Sequence, residues 1–388
     1  MSHARPEPEI PSRKERKDAH VPPPRDSGQG REGVEGLPVP HEDSSRRRSL
    51  PRLVTAVVFG LLCLAGFAIM VNGLLGAVLV FFGEAVLSAL ALTVVGVIGF
   101  WLLRRIRPVR PPSMTFSLLA LLWGMTAAVG LALIANSNLM TIWNTLGGLS
   151  FGEAWGAALS APVNEELIKV AGVVLIAVMA PRVLRGPVDG FVIGALVGLG
   201  FQLVEDFTYT MNVIPMTGGI DGPAAVLQTL LLRVGITGLG SHWAMSAVAG
   251  TAVGLMVAAS WRPGRRHGSR AALLLLAAMG VHWLFDSPIL GGVTGTVLKS
   301  LLVFLMAVTV YFVVRHTYRS RVRRALAEEG EELGMRRSAA MALADRRGRG
   351  RELRHVAHPE RPAVARRQER LVDFAEDRAS EHRVPFRE

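Results

Sequence analysis

A single cysteine, Cys63, stands among the 388 residues, which excludes an internal disulfide and any cysteine-based metal cluster within one chain. Aromatic residues are scarce at 6%. Residues 1–50 contain almost no aromatic or β-branched side chains and are rich in Pro, Glu, Arg, Gly and Ser. Such a segment cannot bury enough apolar surface to fold, so disorder is expected there. The first long apolar run begins only at Leu53, behind Arg46-Arg47-Arg48 and Arg52, which argues against a removable signal peptide and for an uncleaved first span. No internal repeat is visible. A net charge of +12 and a pI near 11.0 would suit nucleic acid, but the basic residues lie beside apolar runs or are mixed with acids in the tails, which argues against that class.

What is present is segregation. Half of the residues are hydrophobic and 41 are glycine, yet charge gathers at the two ends, while residues 53–315 form a series of apolar runs. This is the pattern of an all-α polytopic membrane bundle. Runs of about 20 apolar residues predict eight spans, near 53–71, 77–103, 115–135, 160–181, 188–207, 239–260, 271–286 and 297–314, with a short interfacial or re-entrant helix at 224–234. The expected organisation is a disordered tail over 1–52, a membrane domain over 53–315 and a basic tail over 316–388. Loop charge supports the count independently: Arg104, Arg105, Arg107 and Arg110, then Arg182 and Arg185, then Arg262, Arg265, Arg266 and Arg270, then residues 315–324 make every second loop basic. The alternate loops, 72–76, 136–159, 206–223 and 287–296, contain no Lys or Arg. By the positive-inside rule both termini are then cytoplasmic.

Against this frame the polar residues inside the apolar runs stand out, because charge within a bilayer is costly and usually functional. Ala161-Pro162-Val163-Asn164-Glu165-Glu166-Leu167-Ile168-Lys169 puts two carboxylates and an ammonium into one span. Glu205, His242, and His282 with Asp286 follow on three later spans. Counted at 1.5 Å per residue from the cytoplasmic ends, these groups lie roughly 17 to 28 Å up, in the outer half of the membrane or close to it. Similar depth on four spans predicts one shared site open to the extracytoplasmic side. Glu165 with Lys169, and His282 with Asp286, are spaced i,i+4 and share a helix face. An aspartate one turn from a histidine suits fixing the imidazole's tautomer. Two histidines and up to three carboxylates suffice for Zn²⁺ with an open position and a spare carboxylate to take a proton from water. Without metal, two close carboxylates can divide acid and base roles. A lone intramembrane histidine is more often a hydrogen-bonding residue than a ligand, and Arg233 and Lys299, near the outer boundary, are expected to snorkel. Trp243 and Trp283 read as packing residues more readily than as gates, and no partner is evident for Glu84 or Glu153.

Glu165-Glu166-x-x-Lys169, Phe201-x-x-x-Glu205, His242 and His282-x-x-x-Asp286, in that order on successive apolar runs, resemble the PrsW family of bacterial intramembrane proteases, distant relatives of the CAAX prenyl endopeptidases. The resemblance covers about 115–315. It implies hydrolysis of membrane-anchored protein substrates near the extracytoplasmic face, an anti-sigma factor among the substrate types, in a bacterial plasma membrane. It makes Glu165 and Glu166 the catalytic candidates. His242, His282 and Glu205 are the candidate ligands of a divalent metal such as Zn²⁺, with Asp286 and Lys169 supporting them. The sequence departs from the CAAX pattern by Glu205, where histidine is usual, and by Lys169 three residues after Glu166 where an arginine stands four after. A proton- or ion-coupled transporter and an inactive scaffold remain as alternatives. Against transport, residues 170–180, 191–200, 247–259 and 271–278 carry no ionisable group that would continue a relay to the cytoplasm.

Overall fold

The computed structural model describes residues 50–381, and the expected disorder of the N-terminal tail falls outside that range except for its last residues. No strand occurs among the described residues. The helices are α1 (Leu50–Val80), α2 (Phe82–Ile106), α3 (Met114–Trp123), α4 (Val129–Gly147), α5 (Leu149–Met179), α6 (Pro187–Met216), α7 (Gly222–Leu230), α8 (His242–Ala258), α9 (Arg265–Asp286), α10 (Gly292–Glu332), α11 (Arg337–Ala342), α12 (Arg346–Arg354) and α13 (Arg361–Glu381). Seven helical segments among the described residues are long and apolar enough to cross a membrane, where the sequence predicts eight. The difference is α5: it is 31 residues long, but Glu153, Glu165, Glu166 and Lys169 lower its apolarity.

Several expected loops are helical instead. Residues 72–76 lie inside α1, and the break falls at Phe81, whose ψ of 49° leaves the helical region. Residues 136–147 continue the third span: a π-helical stretch, Gly124–Ala128, joins α3 to α4. The polar residues there do not stop the helix because they bond back to its own carbonyls, as Asn138 does to Ile134, Thr141 to Ser137 and Thr145 to Thr141. The turn is made by Gly148 alone, at a φ of 84° that suits a residue without Cβ, and α5 starts at the next position. Before α8, α7 runs into a π-helical stretch, Leu231–Ile236, where the short helix at 224–234 is expected.

The core is built around α6, whose most apolar stretch is 94% buried, against 17% for α1. α6 and α8 meet at positions spaced four apart, Gly190, Gly194 and Gly198 against the backbone of His242 and the small residues Ser246, Gly250 and Gly254. A Cβ at Gly194 would lie 2.2 Å from the Ser246 carbonyl oxygen, one at Gly198 2.3 Å from that of His242, and one at Gly250 2.3 Å from that of Gly190. Only glycine permits this approach of backbones, the packing that replaces hydrophobic driving force in lipid. Outward, α1 and α2 expose Leu53, Val57, Leu61, Leu64, Leu90 and Val94, a surface suited to acyl chains and not to water.

The basic C-terminal segment, read from the sequence as starting in a helix and then losing the apolar content needed to fold, is helical over most of 316–381. α10 continues to Glu332, α11 and α13 pack onto it around Val109, Val322, Leu326, Leu343 and Val372, and α12 lies against α11 and α13. Charge fixes the arrangement. Arg107 pairs with Asp189 at 2.7 Å and with Glu376 at 2.8 Å, Arg110 pairs with Asp373 and Glu376, and Arg185 reaches Asp377 at 3.1 Å. Burial alone would raise the Glu376 carboxyl, but Arg107 and Arg110 outweigh it and hold the group below the usual carboxylate range. Asp373 is likewise lowered, burial being outweighed by Arg110 and Arg185.

Candidate functional site

The residues singled out in the sequence meet inside the bundle, from four helices. α5 supplies Glu165, Glu166 and Lys169, all buried. Pro162 stands one turn before Glu166 and donates no backbone hydrogen bond, so the carbonyl of Ala158 is left without its usual partner within this helix. Trp123, from the end of α3, donates Nε1–H to the Ile168 carbonyl at 3.0 Å and ties the α5 backbone beside the three charges. α6 supplies Glu205, α8 begins at His242, and α9 carries His282 and Asp286 near its end.

The Lys169 ammonium is at the centre. It donates to Glu166 Oε1 at 2.9 Å and Glu165 Oε2 at 3.2 Å, lies 3.0 Å from His242 Nδ1, and stands 4.0 Å from the centroid of the Phe201 ring. Each histidine has a carboxylate close to the nitrogen that faces away from Glu165. Glu205 Oε2 is 2.7 Å from His242 Nε2, and Glu166 Oε1 is 3.1 Å from His282 Nδ1. The other two nitrogens, His242 Nδ1 and His282 Nε2, therefore face the same atom, Glu165 Oε2, each at 3.8 Å. A carboxylate on the far side of a metal-binding histidine is the usual device for setting its tautomer.

Glu165, His242 and His282 each offer one ligand atom within 4.8 Å of the others. Tetrahedral ligands at roughly 2.1 Å from zinc stand about 3.4 Å apart, so the 3.8 Å spacings need only a small contraction. The donor set fits a divalent cation, although Lys169 already brings a positive charge against the same atoms. Glu205 falls outside this trio. Asp286 meets His282 across the i,i+4 spacing, its Oδ2 3.4 Å from Nε2, the nitrogen that also faces Glu165, while Glu166 takes Nδ1.

Exposure is graded across the cluster. The side chains of Glu166, Lys169 and His282 are at most 1% exposed, whereas Glu205, Asp286 and Arg233 are 20 to 21% exposed and form the wetter side. Arg233 does not snorkel. From the π-helical stretch before α8 it reaches Glu205 and Asp206, each at 2.5 Å, and stacks 3.8 Å from the Tyr209 ring centroid. Lys299 instead binds the Phe285 and Ser287 carbonyls at the end of α9, at 3.3 and 2.6 Å. Trp243 bonds the Gly238 carbonyl at 3.0 Å, and Trp283 stacks near Trp155 at 6.2 Å, so both pack. Glu84 lies close to Gly222 at the start of α7.

Three participants are not evident from the sequence. Asn136 of α4 donates to Glu165 Oε1 at 2.9 Å, Ser246 of α8 donates to Glu166 Oε2 at 3.4 Å, and Arg233 holds Glu205. Asn136 lies at the edge of the expected third span, where polarity reads as a loop boundary. Only the unbroken helix through 136 turns it inward.

Helices with an apolar outer surface around a buried cluster of histidines, carboxylates and one lysine define a polytopic membrane protein with an ionisable centre inside its bundle. A family model described as PrsW family intramembrane metalloprotease matches residues 112–314, just over half of the chain and the whole of the cluster, and the chain belongs to that family. Membership supports intramembrane peptidase activity. Comparison with curated proteins and with solved structures gives no match.

Proposed function

We propose that this chain is an intramembrane endopeptidase that hydrolyses membrane-anchored protein substrates near the extracytoplasmic face, with an anti-sigma factor as a substrate type and both termini cytoplasmic in a bacterial plasma membrane. The observation that carries the site assignment is the pair of histidine nitrogens turned onto Glu165 Oε2 by carboxylates behind them. The orientation rests on loop charge, since Arg182, Arg185, Arg262 and Arg265 lie at the opposite ends of α5, α6, α8 and α9 from the cluster.

Glu165, His242 and His282 would hold the divalent cation, zinc being the ion best matched to two imidazoles and a carboxylate. When bound, such an ion supplies Lewis-acid activation of water and of the scissile carbonyl. Asn136 holds Glu165 by its outer oxygen and leaves Oε2 inward. Glu166 orients His282 and balances Lys169. Glu205 offers the proton acceptor, because its Oε2 is engaged by Arg233 and His242 and the side chain lies on the more exposed side of the cluster, where Oε1 can meet water. In this assignment Glu165 and Glu205 exchange the parts expected from the sequence.

A second reading is favoured by Lys169, whose ammonium already sits against Glu165, Glu166 and His242. In a metal-free centre Lys169 supplies the positive charge, and Glu165 takes the proton from water. One experiment separates them. Purified protein reconstituted with a single-span substrate is assayed for cleavage and bound metal, as wild type and as Glu165→Gln, His242→Ala and Glu205→Gln. Stoichiometric metal lost with His242→Ala, together with loss of cleavage in Glu205→Gln, selects the first reading. Cleavage without metal, abolished by Glu165→Gln and retained by Glu205→Gln, selects the second. Equal cleavage by all four proteins removes this cluster from the mechanism, and ion flux without cleavage restores the transporter alternative.

A further inference from the structure

Where the apolar surfaces of α2 and α10 end, a cleft of about 320 Å³ opens among Arg105 at the end of α2, Arg315 and Arg319 of α10, Asp345 just before α12 and Arg346 at its start. A second hollow of about 340 Å³ continues along α10, sharing Arg315 and Arg319 and adding Phe312 and Arg323. Charge balance in this region is uneven. Arg319 is neutralised by Asp345, with Nη2 2.6 Å from both carboxylate oxygens. Nearby, Arg107, Arg110 and Arg185 are all matched by carboxylates of α13. Arg105, Arg315, Arg323 and Arg346 have no carboxylate partner among the described residues. Three of these, Arg105, Arg315 and Arg346, line the cleft, and Arg323 lines the adjoining hollow; unneutralised guanidiniums gathered in this way repel one another unless an anion enters, and their planar donors match phosphate oxygens.

The surroundings narrow the ligand. Phe312 lies one turn before Arg315 on the same face of α10, and Trp101 and Leu102 lie one turn before Arg105 on α2. All three are exposed, at 55, 48 and 60%. The cleft is therefore a basic cup with an apolar wall leading away from it along the helices. A free phosphate would use only the cup. We propose that this cleft binds the phosphate headgroup of an anionic phospholipid, with its acyl chains laid along Phe312, Trp101 and Leu102. The site is remote in sequence from the catalytic candidates and does not depend on their assigned roles.

The test uses the full chain in neutral detergent, titrated with short-chain phosphatidylglycerol, with phosphatidylcholine of the same chains, and with inorganic phosphate, binding being read by native mass spectrometry. Wild type is compared with the triple variant Arg315→Gln, Arg323→Gln and Arg346→Gln, with the corresponding lysine triple, and with Arg262→Gln, Arg265→Gln and Arg266→Gln as an equal charge change elsewhere. At about one unit of favourable interaction per basic residue near a lipid surface, the glutamine triple should bind phosphatidylglycerol on the order of a hundredfold more weakly. The distant control should keep most of the binding, and the lysine triple, which keeps the charge without the planar fork, should fall between it and the glutamine triple, which also shows that the fold tolerates substitution at these positions. Equal affinity for the two lipids, an unchanged preference in the glutamine triple, or equal loss in the distant control overturns the proposal. Inorganic phosphate binding as tightly as phosphatidylglycerol assigns the cup to a free anion and overturns the lipid reading.

Discussion

Replacing Lys169 by methionine removes the charge at the centre of the cluster and keeps most of its aliphatic stem. The side chain is 1% exposed, with Glu166 at 2.9 Å and Glu165 at 3.2 Å. Without the ammonium, two buried carboxylates lose their closest cation. Breaking a buried pair from one side typically destabilises by about 3–5 kcal/mol, because the partner's desolvation is no longer offset. At about 2.1 cal/mol/K of unfolding entropy per residue, a membrane domain of roughly 260 residues shifts by about 2 °C per kcal/mol, so Lys169→Met should lower Tm by about 5–9 °C. Thermal unfolding in lipid nanodiscs, followed by tryptophan fluorescence, measures the shift. Adding Glu166→Gln removes one orphaned charge and should recover part of the loss, a coupling that independent sites do not show. If divalent metal takes the same donors, zinc should also raise the Tm of Lys169→Met, since one cation replaces the other. A folded Lys169→Met protein with wild-type Tm would mean that the carboxylates need no ammonium, and the ionised cluster described above would be wrong.

Gly198→Leu drives a Cβ to 2.3 Å from the His242 carbonyl oxygen and should abolish cleavage by displacing His242, whereas Gly60→Leu, with open space around it, should leave activity unchanged in the same assay. Asn136→Ala removes the bond to Glu165 Oε1, worth about 1.5–3 kcal/mol for a charged acceptor, and should slow cleavage tenfold or more while gel filtration and helical content stay normal. The α13 contact should be sensitive to acid. Glu376 and Asp373 titrate below their ordinary values when folded, so their contribution is fully present above that ordinary range, about pH 4, and fades as pH falls through the lowered values. Pepsin cleavage in the connectors at 333–336 and 355–357 should therefore rise sharply below about pH 4. Cleavage that does not change between pH 5 and pH 2.5, measured with corrected pepsin activity, would refute the ion-pair account.

The spans and the cluster residues were legible because the bilayer penalises charge so strongly that any carboxylate, lysine or histidine inside an apolar run needs a reason. Glu165, Glu205, His242 and His282 stand out in the sequence for that cause alone. Helix ends were less legible, since Asn138 and Thr141 satisfy themselves on their own backbone and the chain stays helical where polarity suggests a loop. Arg233 was hidden for a geometric reason: the π-helical stretch it occupies leaves no periodic trace, yet it turns the guanidinium onto Glu205 and Asp206. The C-terminal helices were hidden for an electrostatic one. α13 has little apolar surface, and its packing depends on Arg107, Arg110 and Arg185, more than 180 residues away in the chain.

The order of dependence in the site follows from these differences. Charged residues on four helices cannot meet unless the helices approach closely, and the approach of α6 to α8 requires Gly194, Gly198 and Gly250. That approach fixes His242 beside Glu205, because Gly198 packs on the His242 carbonyl while Glu205 lies about two turns further along the same helix. With His242 fixed, its Nδ1 points to Lys169 and Glu165, and the second histidine completes the set from α9. The small residues therefore decide whether the ionisable ones act as one cluster. Enlarging a glycine at this interface should impair catalysis more than removing Asn136 does, although no glycine touches a reacting atom.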